Sequence, residues 1–304
     1  MSPRERRDLA ASVRQRLLNR AQERGEGFDL VLTWYAIERL LYRLSQSPHV
    51  DSFVLKGAML FSLWSGESHR PTRDLDLLGF GDSRVSRMET IFRDVCQVPC
   101  EDGLSFDPTS VRGEEIRGTD EYDGVRIRLD IRLAGARVRL QVDIGFGDAV
   151  VPAPEPVDYP ALLEFPAPRL RAYPREVVVA EKFQALVSLG IANTRMKDFY
   201  DLWMLARRFD FDGERLSKAI AATFERRRTP IPEEAPLALT PAFHDDTAKQ
   251  TQWRAFLRKG AVVAEADLGT VVEFVRTFLM PPASAARVGK PLSGNWSAGG
   301  PWST

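Results

Sequence analysis

At 304 residues the chain is long enough for two domains of ordinary size, and its 44% hydrophobic and 28% charged residues set aside the fibrous and disordered classes. Forty-two basic residues balance forty-two acidic ones, so no global field draws the protein to nucleic acid or to an anionic membrane, and any such contact must come from a local patch. Cys96 and Cys100 make neither a disulfide framework nor a complete zinc site and read as reduced thiols. With no apolar leader and no uncharged run of about 18 residues, the expectation is a cytoplasmic monomer that does not enter the membrane.

Residues 4–24 carry seven arginines against three acids, with Leu9, Val13, Leu17 and Leu18 near helical spacing. The pattern predicts an amphipathic helix whose basic face is either simply solvated or a contact for RNA or a partner. A second helical pattern runs from Leu30 to Ser45. Phe53 to Leu55 then reads as a short apolar strand, followed by a Lys56-Gly57 turn, a helix from Ala58 to about Trp64, a polar loop, and a strand carrying Asp74 and Asp76. Strand residues two apart share a face, so the two carboxylates stand side by side. Like charges that close resist ionisation unless a cation lies between them, and Mg²⁺ favours one or two carboxylates together with phosphate oxygens. Alone, Asp-x-Asp also suits a solvated strand edge. The apolar setting of Leu75, Leu77 and Leu78, and the Gly57 turn that opens a helix toward a phosphate, favour a metal–phosphate site.

Ser83 is placed to cap a helix reaching Val98, and residues 99–124 read as irregular, with one short strand near Leu104-Ser-Phe106. A hairpin follows, with apolar residues alternating from Val125 to Leu133, a turn at Ala134-Gly-Ala136, and alternation again from Val138 to Ile144. Its polar face collects Arg137, Arg139, Gln141 and Asp143. Two-metal phosphoryl transfer requires a further carboxylate on a neighbouring strand. Asp143 is the candidate, and Asp130 on the first hairpin strand shows a similar alternation.

The proline-rich stretch from Val151 to Pro174 reads as a linker, which divides the chain into residues 1–150, a helical domain over 151–280 and a disordered tail over 281–304. Helices are predicted over Arg175–Leu189, Thr194–Phe209 and Gly213–Arg226, and near Asp246–Arg258 and Ala266–Met280. Lys182 stands among Val178, Val179, Phe183 and Leu186, where a snorkelling lysine would also fit. Asp198 and Asp201 share one face of the next helix's first turns, a place the helix dipole favours as well.

Four motifs in this order, Leu55-Lys-Gly-Ala-Met-Leu, Arg70-Pro-Thr-Arg-Asp-Leu-Asp-Leu, Ala180-Glu-Lys and Arg195-Met-Lys-Asp-Phe-Tyr-Asp-Leu, span residues 55–203. The chain resembles the AbiEii/AbiGii-type nucleotidyltransferase toxins of the DNA polymerase β-like superfamily. That resemblance implies an α+β fold, with a mixed sheet and flanking helices followed by a helical C-terminal domain that completes the active site. It implies the toxin of a toxin–antitoxin pair, which uses Mg²⁺ or Mn²⁺ to transfer a nucleoside monophosphate from an NTP, in several relatives to the 3′ end of tRNA. Carried across, Lys56 and Gly57 would bind triphosphate, Asp74 and Asp76 would hold metal, Lys182 would contact the nucleotide phosphates and Asp198 would complete the site. Thr72 matches a residue that some relatives use as a phosphoacceptor for inactivation by their antitoxin. The family often has Lys-Gly-Gly where this chain has Lys56-Gly57-Ala58, and the superfamily's Gly-Ser is absent. The basic faces of residues 4–24 and Arg226-Arg-Arg228 are candidate contacts for the tRNA backbone. Two alternatives stay open: transfer to a protein or small-molecule hydroxyl, and a non-catalytic nucleotide-binding partner protein.

Overall fold

The computed structural model describes residues 2–66, 71–116, 124–260 and 266–303. Arg70, which begins the Asp-x-Asp motif, lies outside them, as do residues 117–123 of the stretch expected to be irregular. The chain divides into two compact units, residues 1–147 with 155–172, and residues 148–154 with 173–304.

The first unit opens with α1 (Pro3–Arg24), started by a capping box in which Ser2 and Glu5 exchange side-chain and backbone hydrogen bonds. Val13, Leu17 and Ala21 form its buried stripe. Next comes α2 (Phe28–Ser45), buried along most of its length. Its charged residues Glu38, Arg39 and Arg43 are paired internally: Arg39 meets Glu38 and Asp102, and Arg43 clasps Asp102 through both terminal nitrogens. Then follow β1 (Phe53–Lys56), α3 (Met59–Ser65), β2 (Asp74–Gly79), α4 (Val85–Gln97), β3 (Ser105–Ile116), β4 (Gly124–Leu133), β5 (Ala136–Phe146), β6 (Glu155–Asp158) and β7 (Arg169–Ala172). Among the described residues these strands form one seven-stranded mixed sheet in the order β3-β4-β5-β2-β1-β7-β6. The pairs β2/β5 and β1/β7 run parallel, and the others run antiparallel.

The alternation of β4 and β5 is obeyed residue by residue, with Val125, Ile127, Leu129, Ile131 and Leu133 buried and the arginines between them partly or fully exposed. Ala134 and Gly135 both take positive φ, the backbone of a two-residue turn that matches strand twist. Three expectations differ. The stretch read as irregular supplies β3, whose register shifts between Asp107 and Arg112; an edge strand tolerates Pro108 there, and its broken alternation hid it. The helix expected to begin on Ser83 is capped by Arg84, whose N–H is held by Asp82. The proline-rich stretch is not a plain linker: it adds β6, an edge strand that accommodates Pro156, and β7 to the first sheet.

The second unit contains α5 (Arg175–Leu189), α6 (Met196–Arg208), β8 (Phe211–Asp212), α7 (Gly213–Arg226), α8 (Pro241–His244), α9 (Thr247–Gly260), α10 (Leu268–Arg287) and β9 (Asn295–Trp296). Its core is aromatic, with ring contacts between Phe183 and Phe224, Phe199 and Phe243, and Phe211 and Phe278. The segment expected to be a disordered tail is instead built into this core. α10 continues through Pro281 and Pro282, β9 pairs with β8, Trp296 is buried with its Nε1 donating to the Ala206 carbonyl, and Trp302 stacks on Phe278. Two indole rings outweigh the Gly, Pro and Ser composition that suggested disorder.

Candidate active site

The sheet register creates the first cluster. Lys56 stands opposite Asp76, Asp76 opposite Asp143, and Asp143 opposite Arg126, so one row across β1, β2, β5 and β4 reads cation, acid, acid, cation. Asp74 lies on the same face one step earlier, in register with Gln141. The opposite face of β2 is Leu75 and Leu77, both fully buried, which fixes the direction in which the two aspartates point. Asp130 belongs to another row: it pairs with Arg139 and bonds both Arg137 and Arg139. The register therefore puts Asp143, not Asp130, beside Asp76.

The Lys56-Gly57 turn is fitted closely to this row. Gly57 has φ +78°, and a Cβ placed on it would collide with the Asp76 carboxylate and stand 2.6 Å from Asp76 Cβ. Glycine is required here twice over, for the backbone and for the carboxylate that lies across it. Just before β2, the Thr72 carbonyl accepts from Trp34 Nε1 at 2.9 Å, and the Thr72 hydroxyl donates a long 3.4 Å bond to the Asp74 carbonyl.

Asp143 is already engaged. Arg126 Nε donates to its Oδ1 and Arg126 Nη2 to its Oδ2, both at 2.8 Å, and Gln141 Nε2 adds a contact at 3.3 Å. The paired carboxylate holds the Arg126 pKa above its ordinary value, with Glu114 and Asp74 contributing more weakly. Among the described residues no three His, Cys, Asp or Glu side chains form a group arranged to hold a metal. Asp74 and Asp76 suit a divalent ion that completes its shell with phosphate oxygens, while Asp143 serves the guanidinium.

The second cluster belongs to the helical unit. Lys182 on α5 places Nζ 2.7 Å from Asp198 Oδ1 and 2.8 Å from Asp201 Oδ2, both on α6. Both aspartates are fully buried, and Arg195 Nε lies 2.7 Å from the remaining Asp198 oxygen. Spacing suggested that the two acids share a face; that face turns inward onto Lys182. Arg126 and Arg195 were not singled out by their motifs as site residues. Within Arg226-Arg-Arg228, Arg227 is turned inward to Asp148 at 3.1 Å and Glu181 at 3.6 Å, so the run is not one continuous basic surface.

A mixed sheet that carries Asp-x-Asp beside a Lys-Gly turn, followed by a helical unit with its own lysine and acids, is the plan of a nucleotidyltransferase. Residues 39–274 match the family described as nucleotidyl transferase AbiEii toxin, type IV toxin–antitoxin system, and the chain belongs to that family. Two solved structures are similar to it. A candidate nucleotidyltransferase from H. pylori is 15% identical, with a TM-score of 0.47 and coverage of 86% of this chain and 95% of that one. JHP933 from Helicobacter pylori is also 15% identical, with a TM-score of 0.46 and coverage of 83% and 88%. No curated protein matches the chain. Among the described residues no helix is long and apolar enough to cross a membrane.

Proposed function

We propose that this nucleotidyltransferase transfers a nucleoside monophosphate from an NTP to a hydroxyl at the 3′ end of tRNA, in the cytoplasm, and thereby blocks translation. The observation that supports this reading is the row in which Asp76 stands between Lys56 and Asp143, with Asp74 on the same face. Asp74 and Asp76 would hold Mg²⁺ or Mn²⁺, which when bound polarises the α-phosphate and offsets the charge of the leaving pyrophosphate. Lys56, a compact point charge beside the Gly57 turn, binds the β- and γ-phosphates. The acceptor oxygen forms a bond to the α-phosphorus as the bond to pyrophosphate breaks, and the hydroxyl proton passes to a carboxylate of the Asp74–Asp76 pair. Lys182 and Asp198 are assigned to the nucleotide on the family motif.

The cognate antitoxin would act through phosphorylation of Thr72. A phosphate two residues before Asp74 adds about two negative charges next to the metal-binding carboxylates. Incubating the protein with each α-labelled NTP, Mg²⁺, total tRNA and total protein tests the reading directly. Label should enter RNA and disappear with Asp74→Asn; label in protein, or undiminished transfer by Asp74→Asn, refutes it.

A further inference from the structure

We infer that Asp143 is a positioning residue for Arg126, and that Arg126 receives a backbone phosphate of the acceptor, which makes the acceptor a nucleic-acid strand. This rests on the proposed transfer reaction and adds the side from which the acceptor arrives. Asp143 gives one acceptor site on each oxygen to the fork of Arg126, the geometry in which carboxylate and guanidinium bind most strongly, and a third to Gln141 Nε2 at 3.3 Å. With three of its about four acceptor sites taken, Asp143 is built first to hold the guanidinium, and a cation drawn onto it would compete with Arg126.

The guanidinium has five N–H donors and spends two on Asp143. Glu114 Oε1, at 3.9 Å from Nη1, is beyond hydrogen-bond range. Among the described residues three donors therefore remain without a hydrogen bond, on a side chain that keeps 28% of its exposure and is held in one plane. A fixed guanidinium with donors to spare is shaped for a phosphodiester.

Its place in the row decides which phosphate. Lys56 and Arg126 flank the two acids on opposite sides, three strand spacings apart, or roughly 14 Å. In-line transfer puts the leaving pyrophosphate and the incoming hydroxyl on opposite sides of the reacting phosphorus. With Lys56 on the pyrophosphate, Arg126 stands on the acceptor's side. A protein hydroxyl or an unphosphorylated small molecule brings no phosphate to that position, whereas the last linkage of an RNA strand does.

The test uses the full chain and a fluorescein-labelled RNA strand with a free 3′ hydroxyl, read by anisotropy without NTP. Arg126→Ala should weaken binding about tenfold and reduce the salt slope by about one unit. Asp143→Asn should weaken strand binding in the same way, and the double variant no further. Mn²⁺ affinity, measured by titration, should change less than about twofold in Asp143→Asn. In transfer assays Arg126→Ala should raise KM for the strand and leave KM for the NTP unchanged. Wild-type protein with a strand whose last linkage is an uncharged methylphosphonate should show the Arg126→Ala loss, so the answer does not depend on the variant folding. Tenfold loss of Mn²⁺ binding in Asp143→Asn, a rise in KM for the NTP instead, or unchanged strand binding in Arg126→Ala overturns the inference. Strand binding that behaves as described in a protein that consumes no NTP refutes the transfer reaction and leaves the phosphate contact standing.

Discussion

Asp76 lies across Gly57 so closely that a methyl group on the glycine would collide with its carboxylate. Gly57→Ala therefore combines a left-handed backbone, which costs a non-glycine residue about 1–3 kcal/mol, with displacement of a site carboxylate. The expected outcome is a fall in transfer of at least about a hundredfold together with weaker Mn²⁺ binding, and a loss of only a few degrees in Tm. Unchanged Mn²⁺ affinity in Gly57→Ala would show that the Asp76 carboxylate is not a metal ligand.

Lys182 compensates two buried carboxylates at once. Removing one partner of a buried ionic cluster costs up to about 3–5 kcal/mol, and Arg195, which stays beside Asp198, keeps the loss below that ceiling. Lys182→Ala should thus lower stability as well as activity, and urea unfolding should show the loss. Lys182→Ala with Asp201→Asn should regain part of it, since one of the two buried acids that faced the lysine is neutralised. A double variant no more stable than the single one contradicts this account.

These two features were legible to different degrees. The residue types of both clusters stand in the sequence, and the period of two placed Asp74 and Asp76 on one face of a strand. The partner of Asp143 was also within reach: a two-residue turn at Ala134-Gly135 fixes the register, and seven residues back from Leu133 and seven on from Ala136 stand Arg126 and Asp143. Which strand lies beside the Asp-x-Asp strand was not legible, because β2 pairs with β5 across more than sixty residues of chain. β3 and β6 were hidden for a shared reason: both are edge strands carrying proline, where weak alternation is tolerated. Composition conceals the order of the C-terminal segment because it averages away two tryptophans that dock individually.

Stability should fall on raising the pH through the range set by Glu38. Burial pushes its carboxyl up to about 7 from 4.5, against the pull of hydrogen bonds from the Leu162 N–H and Arg39. The folded protein holds a proton that the unfolded chain releases near its ordinary value, so this contribution is complete below about pH 4.5 and fades as the pH approaches 7. Thermal midpoints should decline across that window, and Glu38→Gln should flatten the decline. A wild-type curve no steeper than that of the variant argues against a titrating Glu38.

The last turn of chain should prove a structural element. Trp296 is buried among Phe274, Phe278 and Trp302. Trp296→Ala should cost about 3–5 kcal/mol, and deleting residues 289–304 at least as much. Equal denaturation midpoints for the full and shortened chains would contradict the packing.

The path of the backbone between the units bears on how the protein can be taken apart. It leaves the first unit after Gly147, returns at Glu155 to lay down β6 and β7, and departs again after Ala172. No single scission of the polypeptide can release both halves intact. Cut near residue 150, the amino-terminal fragment lacks two strands and bares the flank of β1, while the remainder carries those strands with no sheet to join. During synthesis the first half cannot close before the ribosome has passed Ala172, so a toxin truncated earlier emerges with its sheet unfinished.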